Sequence, residues 1–345
     1  MRAGRIKIST REFEVVDHPI PEPSPGQVRL QIKAAGVCLS DVHLLDSTLS
    51  PGYLEGDEVT IGHEVSGIID SLGDGVTGWS IGDRVIVCAG IRDEKGRVRT
   101  QGFDFDGGYA EYMVTHSESL VAIHGELSFE EACIIPDAVS TPWAAITQSA
   151  QVQLGQSSAV FGIGGLGVHA VQLLKIIGSG PIIAVDPLPE ARERALAVGA
   201  DIALDPSDPE FSKKIRTATQ GRGIDAAFDF AGVSAVRTQA LPLLAECGRL
   251  VIVGIASEPI IIPNDMAFAY KRNQIIGHYG SEPHHTQELV ELIRVGKLDL
   301  SGSITSIMSL EDAGDALKQL EQKIGNPIRI VLKPELLARP AKHPM

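Results

Sequence analysis

The sequence predicts an α/β protein built as two domains, a barrel-like β-rich domain and a doubly wound parallel sheet. Three observations predict it. A chain of 345 residues is longer than one ordinary hydrophobic core supports. Up to about residue 150, apolar positions alternate in short runs broken by glycine and proline, the pattern of many short strands. From about Ser157 the pattern changes to unbroken apolar runs separated by helical stretches, as expected of strands buried on both faces.

Taken in order, residues 28–33 (Val-Arg-Leu-Gln-Ile-Lys) have a period near two and read as a half-exposed strand. Residues 65–90 read as short β segments with glycine turns at Gly73, Gly75 and Gly82. Residues 90–107 are polar and glycine-containing and read as a surface loop, after which 108–114 return to strand. Ser128 followed by Glu130 and Glu131 is a helix start, with a hydroxyl to cap the first free N–H groups and acids in the first turn. The apolar runs 159–161, 181–185, 225–230, 250–253 and 274–276 then alternate with helical stretches such as 168–174 and 189–198. After about residue 288 come a helix, a β segment, a second helix over 310–324 and the strand 328–332, which is expected to rejoin the first domain. The domains expected are therefore 1–150 with 289–345, and 151–288. The last ten residues, which contain proline, read as loose.

Composition narrows the function. Hydrophobic content of 43% with 21% charged residues is globular. A net charge of −14 argues against nucleic acid, which wants a basic face. No run of about 18 apolar residues is present, so no membrane span is expected. The N-terminus lacks the apolar core of a signal peptide, and four cysteines in so long a chain make no disulfide framework. A reducing, cytoplasmic location is the expectation.

Two motifs carry chemistry. Residues 36–43 (Gly-Val-Cys-Leu-Ser-Asp-Val-His) place a thiol, a hydroxyl, a carboxylate and an imidazole within six residues, the parts of a metal site that also moves a proton. Gly62-His63-Glu64 adds a second imidazole. A catalytic zinc takes three protein ligands and leaves a position for substrate, and thiolate, imidazole and carboxylate suit it. Cys38 and His63 are two candidates; for the third, Glu64, Cys133 and Asp137 compete, and spacing does not choose among them. A lone Cys or His would ordinarily be a packed residue, and it is their company that lifts these two.

The second motif is Gly162-Ile163-Gly164-Gly165-Leu166-Gly167, which follows an apolar strand and opens a helix. Its glycines allow a tight turn, close approach of backbone to a pyrophosphate, and contact of helix with strand, while the helix N-terminus favours the anion. Asp186 ends the next strand 19 residues after Gly167, where a carboxylate would bind the adenosine ribose hydroxyls and repel a 2′-phosphate, favouring NAD over NADP. Zinc with a nicotinamide cofactor points to hydride transfer.

The chain resembles, nearly end to end, the zinc-dependent alcohol dehydrogenases of the medium-chain dehydrogenase/reductase superfamily. Gly-Val-Cys-x-Ser-Asp-x-His and Gly-His-Glu are together specific to the zinc branch. The resemblance implies a GroES-like β-rich catalytic domain and a Rossmann NAD-binding domain, with the active site in the cleft between them. It implies Cys38, His63 and Asp137 as zinc ligands and removes Cys133 from that role. It further implies Glu64 as a carboxylate assisting ligand exchange, Asp41 as the partner fixing the histidine tautomer, and Ser40 and His43 as a proton relay with the cofactor ribose between them. Arg329 matches a basic residue that contacts the pyrophosphate. Many relatives carry a second, structural zinc on four cysteines in the 90–107 region; here only Cys88 is near, so one catalytic zinc and no structural zinc is the expectation. Ala191 stands where many NAD-using members place a basic residue, and Arg192 and Arg194 nearby could accommodate a 2′-phosphate.

The function expected is interconversion of an alcohol, primary or secondary and preferably hydrophobic, with its aldehyde or ketone by hydride transfer with NAD(H), in a homodimer or homotetramer. The strand near 274–279 is a plausible sheet-extending edge. Trp143, Leu39 and Tyr53 are the guessable pocket walls. The alternatives are a polyol dehydrogenase, a zinc-free enoyl or quinone reductase, and a non-catalytic nucleotide-binding protein. His169 is expected to be packed, and His284 and His285 to lie exposed in a polar turn.

Overall fold

The computed structural model describes residues 1–93 and 95–336, so all but the first of the last ten residues, read above as loose, lie outside the described residues. The chain divides into one unit formed by Met1–Ala138 with the segment from Ser281 onward, and a second formed by Val139–Gly280. The expected boundaries stood near 150 and 288; the division falls instead at the helical run that follows Asp137 and just ahead of the helix Pro283–Arg294.

The first unit is β-rich, as the alternating pattern predicts. Its larger sheet runs in the order Leu120–Ala122, Arg84–Val87, Glu64–Leu72, Gln27–Val37, Arg329–Lys333, Ile304–Ser309, with Tyr112–His116 also pairing with Gln27–Val37. A smaller sheet joins Glu12–Asp17, Arg2–Lys7 and Glu58–Thr60. The central strand Gln27–Val37 alternates buried and half-buried residues and is then wholly buried at its end. That end meets two neighbours: Gly36 pairs with Glu64 on one side, and Val37 pairs with Ile330 on the other. Cys38, His63 and Arg329 therefore emerge together at one end of three adjacent strands. The last strand rejoins this unit, antiparallel to the central one. Beneath lies a core including Ile6, Val37, Leu44, Ile61, Tyr109 and Ile330.

Two readings of this unit need correction. Residues 90–107 are more than a surface loop: Gly90–Arg92 and Val98–Thr100 form a hairpin, and Gln101, Phe103 and Asp104 are buried. The polar side chains are tolerated inside because each is satisfied. Asp104 accepts from the N–H groups of Tyr53 and Thr100, and Gln101 donates to two carbonyls and accepts from Thr115. His284 and His285 do not sit in a turn but open the helix Pro283–Arg294; His284 is exposed as expected, whereas His285 is buried and accepts the Glu282 N–H on Nδ1 at 3.0 Å.

The second unit is a six-stranded, all-parallel sheet in the order Ile202–Leu204, Ile182–Val185, Ser158–Phe161, Ile224–Asp229, Leu244–Ile252, Gln274–Gly277. In chain order this is the 3-2-1-4-5-6 arrangement of a doubly wound dinucleotide fold. Strands Ser158–Phe161 and Ile182–Val185 are buried at every residue, which is why they read as continuous apolar runs. Gln274–Gly277 is an edge strand of this sheet.

Candidate functional site

Cys38 is the extended residue just before the short helix Leu39–Leu45. Its N–H donates to Asp41 Oδ2 at 3.0 Å, so the first turn of that helix is closed by a carboxylate that the site also uses. His63 follows Gly62, whose φ of +98° lies in the left-handed region and where a Cβ would come within 2.3 Å of the Tyr109 ring; only glycine fits there. Asp137 sits in a π-helical turn, Ile135–Val139, an arrangement that recurs at functional sites because it re-aims one side chain.

These segments converge. Cys38 Sγ lies 3.4 Å from Asp137 Oδ2, and His63 Nε2 lies 3.6 Å from the same oxygen. Ligand atoms of Cys38, His63, Glu64 and Asp137 all lie within 4.8 Å of one another. A tetrahedral zinc with bonds of about 2.0–2.3 Å sets its donors roughly 3.3–3.8 Å apart, so the donor set fits the ion. On the far side of the imidazole, His63 Nδ1 is 3.2 Å from Asp41 Oδ1, which leaves Nε2 as the nitrogen facing Asp137. Asp41 Oδ2 also accepts from Tyr109 Oη at 2.8 Å. Tyr109 had no signal in the sequence beyond its place in the stretch 108–114 read as strand, and the strand that forms is Tyr112–His116.

The electrostatics of the cluster are those of crowded negative charge. Burial pushes the Cys38 thiol up, and the charge of Asp137 pushes the same way. Burial lifts the Glu64 carboxyl to about 8, against the pull of the Arg329 guanidinium. Burial lowers the proton affinity of His63, yet the carboxylates of Asp41 and Asp137 outweigh it and hold the imidazole well above its ordinary value. A divalent cation would relieve all three at once.

Other candidates fall around this centre. Glu64 is fully buried with Oε1 3.1 Å from Arg329 Nη2, which is also 4.0 Å from Asp137 Oδ2. Arg329, read by resemblance as a pyrophosphate contact, thus stands inside the carboxylate cluster. Ser40 Oγ is 3.7 Å from Cys38 Sγ. His43 lies three residues on in the same helix, and its Nδ1 is buried with no hydrogen-bond partner among the described residues. Cys133 is buried with its thiol directed to the Glu130 carbonyl at 3.2 Å, and Cys88 is buried 3.6 Å from Thr286 Oγ1. Leu39 and Tyr53 are exposed at 43% and 41%, so neither is enclosed in a pocket of this unit.

In the second unit, Gly162–Gly167 joins the strand Ser158–Phe161 to the helix Gly167–Ile177. A Cβ on Gly167 would lie 1.9 Å from the Gly162 carbonyl oxygen, whereas one on Gly164 would meet no protein atom within 4 Å. The third glycine lets the helix close on the turn, and the second leaves backbone open to a ligand. Asp186, just past the strand Ile182–Val185, accepts the Ile163 N–H at 2.8 Å and the Leu188 N–H at 2.9 Å. Arg192 donates to the Asp186 and Pro187 carbonyls and to Asp205, and Arg194 to the Ile163 carbonyl at 2.8 Å. His169 is packed, its Nδ1 2.6 Å from the Gly165 carbonyl oxygen. Among the described residues, no helix is long and apolar enough to cross a membrane.

Comparison with known proteins agrees with this two-unit fold. Residues 24–125 match the alcohol dehydrogenase GroES-like domain family, and residues 165–294 match the zinc-binding dehydrogenase family. The chain is 32% identical over 346 residues to the NAD-dependent alcohol dehydrogenase of Sulfurisphaera tokodaii, covering 93% of this chain and 96% of that one. It is 28% identical to the sorbitol dehydrogenase of Bacillus subtilis, covering 94% and 95%. The crystal structure of 2R,3R-butanediol dehydrogenase from Bacillus subtilis superposes with a TM-score of 0.87 at 26% identity, covering 97% of this chain and 99% of that one. With its GroES-like unit, its parallel nucleotide-binding sheet and these relatives, the chain belongs to the zinc-type alcohol dehydrogenases of the medium-chain dehydrogenase/reductase superfamily.

Proposed function

We propose that the protein oxidises an alcohol to its aldehyde or ketone, and catalyses the reverse, with NAD(H) and a single zinc ion held by Cys38, His63 and Asp137. The observation that carries this is the approach of Cys38 Sγ and His63 Nε2 to one oxygen of Asp137, at 3.4 and 3.6 Å. When bound there, zinc supplies Lewis acidity that lowers the pKa of an alcohol and polarises a carbonyl. The rest falls to side chains of this chain. Asp41 holds the His63 ring so that Nε2, not Nδ1, faces the site. Ser40 Oγ, beside the Cys38 sulfur, takes the hydroxyl proton, and His43, one turn further along the same helix face, passes it towards solvent. Glu64, opposed by Arg329, is a second carboxylate within reach of the ligand atoms during exchange. The Gly162–Gly167 turn receives the pyrophosphate of the cofactor, and Asp186 disfavours a 2′-phosphate.

A second substrate reading, a polyol or vicinal diol, is favoured by the likeness to a sorbitol and a butanediol dehydrogenase. A panel of apolar alcohols, diols and polyols with NAD or NADP, followed by cofactor absorbance, tests both readings. Turnover of apolar alcohols supports the first and of diols or polyols the second. Full activity after exhaustive chelation would overturn the role of zinc, and two zinc ions per chain would overturn the expectation of a single site.

A further inference from the structure

Tyr109 is used by none of the steps above, yet it is fully buried against the metal cluster. Its backbone is pinned on both sides: its N–H donates to the Ile61 carbonyl at 2.9 Å, and its carbonyl accepts from Gly4 at 2.6 Å. Its ring fills the place where Gly62 lacks a side chain, directly before His63. The hydroxyl is therefore presented by a rigid frame. Its single proton has two acceptors in range, Asp41 Oδ2 at 2.8 Å and the Gly36 carbonyl at 3.3 Å. The shorter, charge-assisted bond to the carboxylate is the stronger.

Asp41 is itself wholly buried, so its oxygens need donors from the protein. Oδ2 receives the Cys38 N–H and the Tyr109 hydroxyl, while Oδ1 faces His63 Nδ1. One carboxylate thus joins the backbone of one proposed ligand to the ring of another, and Tyr109 is the remaining anchor that sets its angle. We propose that Tyr109 is a positioning residue for the metal centre, holding Asp41 so that Cys38 and His63 are presented to zinc together. This rests on the reading of Cys38, His63 and Asp137 as zinc ligands. The competing account is a core tyrosine whose hydroxyl has merely found a partner.

The test is Tyr109→Phe, which keeps the ring on Gly62 and removes only the hydroxyl. Zinc retention, measured by competition with a chelator, is expected to fall about 10-fold, the scale seen when outer partners of metal ligands are removed. The absorption bands of the cobalt-substituted protein, which report ligand geometry without turnover, are expected to shift. In an Asp41→Asn background the same change should add little, because the link it breaks is already weakened. A lower melting temperature with unchanged zinc retention and cobalt bands would overturn the proposal. Should Y109F not fold, fluorotyrosine placed at position 109 makes the phenol a stronger donor; cobalt bands that do not move would then overturn it. Wild-type protein that retains no zinc, or retains it equally with Asp137→Ala, would instead overturn the ligand reading beneath it.

Discussion

The two units are built to hold their proposed ligands by opposite means. In the first, the proposed metal centre is made of side chains: a sulfur, an imidazole and a carboxylate from three distant segments, wedged among further carboxylates and an arginine. In the second, the nucleotide turn is made of backbone, and its side chains serve to fix that backbone, as Asp186 and Arg194 both do at Ile163. Removing one group from the first should leave an uncompensated buried charge, whereas adding one atom to the second should collide with main chain. Each kind of substitution should spare the other unit's ligand.

The largest effect is expected from Asp137→Ala, which removes the oxygen that both Cys38 and His63 approach. Lewis acidity contributes several kcal/mol and each 1.36 kcal/mol is tenfold, so activity should fall by about 10³-fold or more. Metal analysis should find zinc lost while cofactor titration finds NAD affinity retained. An active, zinc-replete D137A protein would return the third ligand to Glu64 or Cys133. Next comes Ser40→Ala, for which turnover should fall by about 10²-fold at neutral pH with zinc content unchanged, the scale of losing one proton-transfer group. An unaltered rate and pH profile would mean that the proton leaves by another route.

On the cofactor side the sharpest probe is Gly167→Ala. Its Cβ would lie 1.9 Å from the Gly162 carbonyl oxygen, a backbone atom that cannot rotate away. The turn must open, at a cost of about 1–3 kcal/mol of stability. NAD affinity should weaken while the zinc stoichiometry holds. Denaturant unfolding and a fluorescence titration with NADH measure the two effects, and a G167A protein equal to wild type in both would show that the turn is softer than its packing implies.

The same contrast governs what could be read from sequence. The nucleotide turn is local: its glycines, the strand before and the helix after lie within one short stretch, and the parallel sheet announces itself through runs buried on both faces. Cys38 and His63 stand in recognisable stretches because each must follow or precede a strand of the central sheet. The third ligand was not legible from spacing, since Cys133 and Asp137 share one helical segment and only the turn of Ile135–Val139 separates an inward thiol from an approaching carboxylate. Tyr109 was invisible for a related reason, its contact with Asp41 being made across 68 residues by tertiary packing alone. Residues 101–104 and His285 misled in the other direction: polar side chains suggested solvent, but each found its partners inside.

The smallest expected effect is the most discriminating for the cofactor. Asp186→Gly removes a negative charge beside the glycine turn and should relax preference towards NADP. The arginines placed to meet a 2′-phosphate are already engaged, Arg192 with two carbonyls and Asp205, Arg194 with the Ile163 carbonyl. The gain should therefore be modest, a change in the NADP-to-NAD ratio of kcat/KM of about 10-fold, near the worth of one charge-assisted hydrogen bond of about 1.5 kcal/mol. Because Asp186 also accepts from Ile163 and Leu188, the substitution should cost stability as well, and part of any loss with NAD will reflect a loosened turn. Measuring NAD affinity together with the ratio separates the two. A weakened affinity for both cofactors at a constant ratio would mean that Asp186 only builds the turn, and that the adenosine is read by other residues.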